Sequence, residues 1–586
     1  LFAKAQNLPE WRGELYLELH RGTYTTQART KWNNRKMEFA LRETEFLYTL
    51  LYQLDNSPAI SYPREQLLDS WKRILTNQFH DIIPGSSINR VYKDAEIEYD
   101  RVRKTTEALR LNGARTLAKK ILRTDEILEL FDASKGTMQS TTAFLVINSL
   151  SWERTSSVRL LLSGDNPGPY KSLRTSEGQV PLQISRNILD QMEIRSMVKV
   201  PPMGWALFSL DTVEAASVES VPFQYDGKHL ISPFYQVEFD EAMRITSLVD
   251  RHTGFNFVAS KQALNSFVGA EDMPILWDAW DIDADWVESK EDEDRLVSSR
   301  SISEGPLFIQ IRNEYKIGKK STLRQDVYFY AEDRRIDFVT LIDWQESHRL
   351  LKVAFPVNIH TNQVRCEVQY GHVLRSTHDN LPQDRAQFEF CAHKWISLEE
   401  SGASVALLND CKYGYDVDGS VMRLTLLRSP KAPDEEADMG IHHVTYSILP
   451  MSAPFSAEVV VRSAYDLNQP LTTFGLVRSD SESSLSVSNG KEHTPQQSLS
   501  AFSIDSPQII IETVKLAEDG NDIILRLYEA SGGSCSTTLR SIIPIGSVEE
   551  TNMLERNPKP VSSGIHTVDL SFRAFEIKTL RLRRGK

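Results

Sequence analysis

Residues 77–87 read Asn77-Gln78-Phe79-His80-Asp81-Ile82-Ile83-Pro84-Gly85-Ser86-Ser87, and a helical pattern ends within this stretch. Pro84 and Gly85 are a turn signal directly behind the adjacent His80 and Asp81. Imidazole is a common metal ligand, and a carboxylate either shares a metal or accepts hydrogen bonds from hydroxyl groups. The turn therefore predicts that this pair lies at the mouth of a cleft. A structural histidine at a helix end is the alternative interpretation.

Helical periodicity surrounds this turn on both sides. Residues 31–55 and 63–79 carry apolar side chains at helical spacing, and a break at Asn56-Ser57-Pro58 separates them. Pro63 opens the second helix at its first turn, and Ser87 is expected to cap a third helix over residues 88–122. The apolar positions of the first two helices are Met37, Leu41, Phe46, Leu50 and Leu51, then Leu67, Leu68, Trp71 and Leu75. Three successive helices joined by short turns predict a helix bundle.

Before the helices, polar and apolar residues alternate with a period of two. Glu14, Tyr16, Glu18 and His20 alternate with Leu15, Leu17 and Leu19. A period of two predicts a strand over residues 14–21, with leucines packed against helices and polar side chains facing a cleft. An ordinary amphipathic strand with solvated glutamates is the alternative.

From about residue 143 the sequence changes to short β-branched segments separated by Gly, Pro, Asn or Asp. This pattern is typical of β-sandwich domains. The clearest segments are residues 154–162, 235–240, 308–314, 336–342, 403–408, 421–427, 508–514 and 522–528. The Ser/Gln-rich run 480–499 is the best candidate for a linker.

Bulk composition narrows the function classes. The chain has 586 residues, too many for a single core, and its formal net charge of −13 argues against a nucleic-acid partner. No apolar run is long enough to cross a bilayer, so no membrane partner is expected. Cys366, Cys391, Cys411 and Cys535 lie far apart, which indicates reduced thiols in a cytoplasmic protein. Because the sequence begins with Leu1, it is uninformative about a leader peptide.

Four stretches together carry a family resemblance. They are Gly13–Thr25, Gln78–Ser87, Trp277-Asp278-Ala279-Trp280-Asp281 and the long run Cys391–Gly440, which includes Leu427-Arg428-Ser429-Pro430. In this order they resemble glycoside hydrolase family 38, the retaining α-mannosidases, and within it the cytosolic/vacuolar-type branch. The resemblance covers essentially the whole chain.

The resemblance implies a multidomain α+β architecture. Family members begin with a seven-stranded α/β barrel-like catalytic domain that carries a His-x-Asp metal pair and the aspartate nucleophile, and none of these precedes Leu1. The chain therefore resembles the C-terminal part of such an enzyme. The expected parts are a remnant of the catalytic domain (1–30), a three-helix bundle with the turn at 78–87 (31–125), a small β domain (143–212), a large β-sandwich (220–480) and a C-terminal β domain (500–586).

The same resemblance implies roles for five residues. Retaining glycosidases use two carboxylates, one as nucleophile and one as acid/base, and this family adds one divalent metal ion, usually zinc. His80 matches a metal ligand and Asp81 a carboxylate that binds sugar hydroxyls. Glu18 is favoured over Glu14 as the acid/base, and Arg21 and Tyr413 are expected to bind substrate. The remaining metal ligands are expected outside this chain.

Several of these assignments have structural alternatives. Arg21 either fixes a carboxylate or ligand hydroxyl or pairs with a surface acid, and Tyr413 with Asp410 either reaches the cleft or forms a structural turn. Trp277 and Trp280 either stack on sugar or belong to the core. No role is assigned to His372, His378, His442 or His443, and the Asp283, Asp285 and Glu288 run is a solvated charge cluster rather than a calcium loop.

The resulting hypothesis is an enzyme. The intact protein is expected to be a metal-dependent retaining exo-α-mannosidase that removes terminal mannose from α-mannoside oligosaccharides and forms a homo-oligomer. The isolated chain is expected to be inactive because it lacks the nucleophile. The alternative is a non-catalytic carbohydrate-binding or scaffolding protein derived from that family, and the mechanism by itself does not choose the sugar.

Overall fold

The computed structural model describes residues 4–54, 61–123, 128–135, 141–162, 164–215, 221–478 and 498–585. These ranges contain five α-helices: α1 (Ala28–Leu54), α2 (Arg64–Asn77), α3 (Asn89–Leu122), α4 (Pro382–Ala386) and α5 (Ala457–Asn468). Helices α1 to α3 pack on one another and form the predicted helical region. None of the helices in the described ranges has the length and apolar character that crossing a membrane requires.

The rest of the described chain is mainly antiparallel β-structure. The first strands are β1 (Leu128–Asp132), β2 (Ala143–Asn148), β3 (Arg154–Leu161), β4 (Ser172–Thr175), β5 (Gly178–Pro181), β6 (Gln183–Arg186), β7 (Met192–Val200), β8 (Gly204–Asp211), β9 (Gln224–Tyr225), β10 (His229–Ile231), β11 (Tyr235–Phe239) and β12 (Ile245–Asp250). The middle strands are β13 (Ser266–Glu271), β14 (Glu291–Asp292), β15 (Arg295–Glu304), β16 (Phe308–Ile317), β17 (Ser321–Tyr330), β18 (Ile336–Trp344), β19 (Arg349–Pro356), β20 (Gln363–Val368), β21 (Gly371–Ser376), β22 (Phe390–Cys391), β23 (Trp395–Glu400), β24 (Ala403–Asn409), β25 (Gly414–Asp418), β26 (Val421–Arg428), β27 (Gly440–Met451) and β28 (Thr472–Arg478). The last strands are β29 (Ser498–Ser500), β30 (Phe502–Ile504), β31 (Ile509–Leu516), β32 (Ile523–Glu529), β33 (Cys535–Ser541), β34 (Ile545–Thr551), β35 (Lys559–Val561), β36 (Thr567–Phe572) and β37 (Ile577–Arg584).

The largest β unit is a sandwich built around one core. Its nine-stranded sheet has the order β15-β16-β17-β18-β27-β24-β23-β20-β21, and its six-stranded sheet has the order β14-β13-β19-β26-β25-β22. A four-stranded sheet, β12-β11-β10-β9, packs on the same core. Side chains from all three sheets are buried together. This is the arrangement expected when sheets pack face to face, because apolar residues on their inner faces alternate with polar residues that face outward. The predicted multidomain order of a helical region followed by β-sandwiches is confirmed.

One sheet joins distant parts of the chain. Its order is β1-β28-β2-β8-β4-β5, with β29 also pairing with β8, so β28 lies between β1 and β2. A three-stranded sheet, β3-β7-β6, accompanies it, and sheets β30-β33-β36 and β31-β32-β37-β34-β35 complete the C-terminal unit. The predicted domain limits stay a prediction. The predicted break at Asn56-Ser57-Pro58 and residues 480–497 of the predicted linker lie outside the described residues.

Helix α1 begins three residues before its predicted start. The Asp438 carboxylate accepts hydrogen bonds from the backbone N–H groups of Gln27 (2.8 Å) and Ala28 (2.7 Å). The first turn of a helix leaves its N–H groups without intrahelical partners, and here a residue 410 positions away satisfies two of them. No local pattern encodes such a cap.

Two local predictions are wrong. Residues 14–21 form no strand; Glu18–His20 and Gly22–Tyr24 are short 3-10 turns. Ser87 does not cap α3, because its hydroxyl donates to the Asp81 carbonyl (2.6 Å) and Ile88 occupies the cap position.

Candidate functional site

The turn after α2 is held from several sides. The Gln78 side-chain amide donates to Asn34 Oδ1 (3.0 Å) and Glu38 Oε1 (2.8 Å) on α1. Within the turn, the N–H groups of Ile82 and Ile83 donate to the Phe79 carbonyl (2.8 and 3.1 Å). Gly85 has φ +93°, and a Cβ there would lie 2.5 Å from the Thr26 carbonyl oxygen. Only glycine fits this close approach at a left-handed conformation.

Lys31 fastens the turn to the start of α1. Its ammonium group donates to the Ile83 carbonyl (2.8 Å) and to the Thr26 carbonyl, and the side chain is buried. Burial lowers the pKa of Lys31, while the nearby Asp438 carboxylate opposes that shift. The turn is therefore anchored by specific hydrogen bonds and does not depend on its own contacts alone.

His80 and Asp81 lie on the outer surface of this anchored turn. Their side chains are 77% and 54% exposed, and His80 Nε2 lies 3.5 Å from Asp81 Oδ2. The His80 ring also packs against Phe79, with 4.2 Å between ring centroids. The pair follows the end of α2, as the sequence predicts. Its predicted place at the mouth of a cleft stays a prediction. The assigned roles of the two residues stay predictions.

Glu18 occupies an exposed 3-10 turn instead of a cleft-facing strand. Leu15, Leu17 and Leu19 are 85%, 63% and 54% exposed, so the side chains expected to pack against helices do not. Glu14 is held by the Arg375 guanidinium at 2.8 and 2.9 Å. A strand needs a hydrogen-bonded neighbour, and no described strand pairs with this segment.

Arg21 holds a carboxylate of the chain itself. Its guanidinium donates to Asp281 Oδ1 (3.2 Å) and to the Ala386 carbonyl (2.9 and 3.1 Å), and it lies 4.6 Å from the centroid of the Phe388 ring. Both members of the ion pair are largely buried, which excludes the alternative of an exposed surface pair. Arg21 thus connects the segment before α1 to the Trp277–Asp281 loop.

Arg428 is the centre of this connection, and the sequence did not single it out as a site residue. Its buried guanidinium donates to both Asp272 oxygens (2.8 and 3.0 Å), to Thr26 Oγ1 (3.1 Å) and to the carbonyls of Ala279 and Asp281 (3.2 and 2.8 Å). The only sequence signal was its place in the motif Leu427-Arg428-Ser429-Pro430. The hydrogen bonds depend on residues more than 140 positions away.

The Trp277–Asp281 loop presents one aromatic side chain to solvent. Trp277 is half exposed and packs edge-on against Trp280, with 5.8 Å between centroids. Asp278 Oδ2 accepts from the N–H groups of Lys431 (2.6 Å) and Ala432 (3.0 Å) and lies 3.2 Å from His348 Nε2. Asp278 Oδ1 is buried and has no hydrogen-bond partner within the described residues. These contacts join the loop to the segment after β26.

Tyr413 lies in a separate cluster. Its hydroxyl accepts from Arg35 Nε (3.0 Å), the Arg35 guanidinium stacks on its ring at 4.4 Å, and the His393 ring packs edge-on at 5.3 Å. Burial raises the pKa of Tyr413, although Arg35 opposes the shift. The neighbouring Asp410 pairs with Lys36 at 2.9 Å. Tyr413 therefore anchors the N-terminal third of α1 to the large sandwich.

Three models of protein families match the chain in sequence order. Residues 18–117 match the "Alpha mannosidase middle domain", residues 230–436 the "Glycosyl hydrolases family 38 C-terminal domain", and residues 508–580 the "Glycosyl hydrolases family 38 C-terminal beta sandwich domain". The turn with His80 and Asp81 lies in the first match, and Arg428 lies in the second.

Curated relatives match over nearly the whole chain. Human Alpha-mannosidase 2C1 is 33% identical over 99% of the chain and 51% of its own length. Alpha-mannosidase G of Dictyostelium discoideum is 30% identical, over 98% of the chain and 53% of its own length. The chain thus spans about half the length of the curated relatives it matches. The solved structure of an alpha-mannosidase from Enterococcus faecalis V583 shares the fold, with a TM-score of 0.74, 17% identity, and coverage of 96% of this chain and 68% of that one.

Proposed function

The chain belongs to glycosyl hydrolase family 38, of which it carries the middle and C-terminal domains, and from this premise we propose that the intact protein is a retaining exo-α-mannosidase. It would remove terminal α-linked mannose from oligosaccharides. The observation that carries the proposal is the His80–Asp81 pair, exposed on a turn that Gln78 and Lys31 hold in place. A rigid turn with exposed polar side chains is suited to complete a site whose other groups come from elsewhere.

The described residues do not form a complete metal site. No group of three His, Cys, Asp or Glu side chains within them is close enough to hold a metal ion, whereas zinc sites in proteins use three or four protein ligands. We therefore propose that His80 supplies one ligand to a divalent ion, with zinc as the first candidate. The other ligands would come from polypeptide outside this chain, a proposal supported by the greater length of the relatives.

Glu18 is the proposed acid/base and Asp81 the proposed ligand of sugar hydroxyls. Glu14 is less suitable because Arg375 already holds its carboxylate. A general acid must keep its proton near neutral pH, and burial is one means to that end. Since Glu18 is exposed here, the burial would have to come from bound substrate or from polypeptide outside the described residues. Arg21 and Tyr413 stay predictions as substrate-binding residues, since both hold groups of this chain.

The four cysteines support the proposed cytoplasmic location. Cys366, Cys391, Cys411 and Cys535 are all unpaired, as expected of thiols in a reducing compartment. Burial raises the pKa of Cys366 to about 12 and that of Cys391 to about 11, so these thiols stay protonated and unreactive. A homo-oligomer stays a prediction.

The test compares His80→Ala with a matched control in the intact protein. We expect His80→Ala to lower turnover of an aryl α-mannoside at least about 100-fold and to lower the amount of bound metal. Loss of a direct metal ligand should weaken metal binding and activity more than loss of a residue that only supports a ligand. His229→Ala is the control, since His229 also forms an exposed pair with an aspartate, Asp226 (3.0 Å). Equal turnover and equal metal content in both variants would contradict the proposal for His80.

Intact mass, metal content and product analysis distinguish the proposed enzyme from a non-catalytic carbohydrate-binding or scaffolding protein. We expect the native protein to be heavier than the 66.8 kDa of this chain, to hold one divalent ion, and to release product with retained anomeric configuration. We expect the isolated chain to hydrolyse no α-mannoside. Metal-dependent turnover by the isolated chain would show that it needs no further segment. Carbohydrate binding by the intact protein without hydrolysis would favour the non-catalytic carbohydrate-binding alternative.

A further inference from the structure

A large cleft opens between the helical region and the C-terminal sandwich, and neither His80 nor Asp81 lines it. Its volume is about 890 Å³, within the range of about 300–1,000 Å³ that is usual for small-molecule sites. Helices α1 and α2 form one wall, the turn between β20 and β21 forms another, and β31, β32 and residues 553–556 form the third. None of the five residues predicted for the catalytic site lines it.

Aromatic and apolar side chains line two of the walls of this cleft. Leu68, which is exposed, and Trp71 stand one helical turn apart on α2. Tyr370 lies in the turn between β20 and β21 and packs edge-on against Tyr528, with 5.4 Å between centroids. Aromatic rings in two walls of a cleft provide apolar contact area together with polar edges.

The charged groups of the cleft are largely neutralised by one another. Arg42 pairs with Glu512 (3.6 Å), Lys394 with Glu367 (2.6 Å) and Lys515 with Glu555 (2.9 Å). An anionic ligand would have to compete with these acids for the cations. An apolar ligand would remove water from the ion pairs and would offer them no hydrogen bonds in return, which is energetically unfavourable. The charges therefore favour a neutral ligand with many hydrogen-bonding groups.

Two carboxylates in the cleft take their hydrogen bonds from neutral donors. Glu45 Oε1 accepts from the Trp71 indole N–H (3.1 Å), and Glu38 Oε1 accepts from the Gln78 amide (2.8 Å). Burial raises the pKa of Glu45 to about 7 and also raises that of Glu38. Glu38 also bonds to the Asn34 side chain. Each carboxyl group retains acceptor lone pairs that a ligand hydroxyl can use.

We propose that this cleft binds a neutral saccharide, with the rings of Trp71 and Tyr370 against the apolar faces of the sugar and Glu38 and Glu45 accepting bonds from its hydroxyl groups. The site does not include His80 or Asp81, and it touches their turn only through the bond between Glu38 and Gln78 given above. Binding there requires neither His80 nor a metal ion, so the two proposals fail independently.

The test titrates the chain with α-1,2-mannobiose, maltose and mannose 6-phosphate by isothermal calorimetry, in the presence of a chelator. We expect a neutral disaccharide to bind with a micromolar to millimolar Kd, and His80→Ala to leave that Kd unchanged. Trp71→Ala should weaken binding at least about tenfold. Because Trp71 also holds Glu45, Tyr370→Ala provides a second variant, and Trp11→Ala, which removes an exposed tryptophan elsewhere, is the control.

Thermal unfolding is measured for each variant, and only variants that are folded are included in the comparison of titrations. A tenfold or greater loss of saccharide binding in a folded Trp71 or Tyr370 variant, with no loss in Trp11→Ala, supports the proposal. Three results would each overturn it: no binding of either neutral disaccharide, binding unchanged in the folded variants, or tighter binding of mannose 6-phosphate than of the neutral sugars.

Discussion

Gly22 shows how closely single residues are fitted around Arg428. A Cβ at Gly22 would lie 1.7 Å from the Arg428 guanidinium and 2.9 Å from the Asp281 carbonyl oxygen. The N–H groups of Gly22 and Thr23 donate to the Trp280 carbonyl (2.8 and 3.1 Å). The segment before α1 and the Trp277–Asp281 loop therefore touch backbone to backbone, with Arg428 filling the space beneath them.

We predict that Gly22→Ala destabilises the protein by about 1–3 kcal/mol, because the added methyl group must displace a buried guanidinium that has paired acceptors. Chemical unfolding of the variant and of the parent protein measures the difference. Gly402→Ala is the control, since a Cβ at Gly402 meets no atom within 4 Å. Equal losses in the two variants would show that the contact with Arg428 is unimportant.

Helix α1 is the element that links the units of the molecule, and its buried polar residues explain why. The Arg42 guanidinium donates to the carbonyls of Ser149 (3.2 Å), Ile511 (3.1 Å) and Glu512 (2.6 Å), while Arg35 holds Tyr413. These partners lie on three different parts of the chain. A helix enclosed on several sides buries polar groups only where such partners satisfy them.

Glu45 makes the packing of α1 against α2 sensitive to pH. Burial raises its pKa from about 4.5 to about 7; Lys515 and Arg526 oppose the shift and Glu518 adds to it. Between about pH 4.5 and pH 7, the folded state thus retains a proton on Glu45 that the unfolded state has released. The corresponding stability is fully present below about pH 4.5 and is lost as pH rises through about 7.

We predict that the parent protein loses on the order of 2–3 kcal/mol more unfolding free energy than Glu45→Gln between pH 5 and pH 8. The amide cannot ionise but keeps an oxygen that can accept from Trp71. Urea unfolding of both proteins at the two pH values gives the comparison, and other titrating groups cancel between them. Identical pH dependence in parent and variant would contradict the role given to Glu45.

At the scale of the whole molecule, one apolar core spans parts that are separate in sequence. It contains side chains from α1 and α3, from β2, β8 and β28, and from β31 and β32. Phe474 in β28 is 2% exposed and lies within this core, in the strand that sits between β1 and β2. The helical region, the sheet and the C-terminal sandwich should therefore unfold as one unit.

We predict that Phe474→Ala lowers stability by about 3–5 kcal/mol and accelerates hydrogen exchange together in α3 and β32. Exchange measured by mass spectrometry resolves the two elements. Ile565→Ala serves as the control because Ile565 is 70% exposed. Faster exchange confined to the sheet that contains β28 would show that the units unfold separately.

The sequence by itself determined the three N-terminal helices and the change to β-structure that follows them. Met37, Leu41, Phe46, Leu50 and Leu51 are buried on α1 as the helical period predicts, and all eight β-branched segments are strands. Local periodicity records these features because a side chain's direction repeats over two residues in a strand and over 3.6 in a helix. The adjacency of His80 and Asp81 at the end of a helix was likewise readable.

Only the tertiary structure shows which contacts connect the elements to one another. It also shows that the alternating pattern of residues 14–21 does not correspond to a strand. The Asp438 cap on α1, the contacts of Arg428 and the position of β28 join residues hundreds of positions apart. The alternating segment 14–21 forms no strand because a strand also requires a hydrogen-bonded neighbour, which a period of two does not specify. Periodicity reports the environment that a residue favours, whereas packing and hydrogen bonding between distant segments determine the environment that it receives.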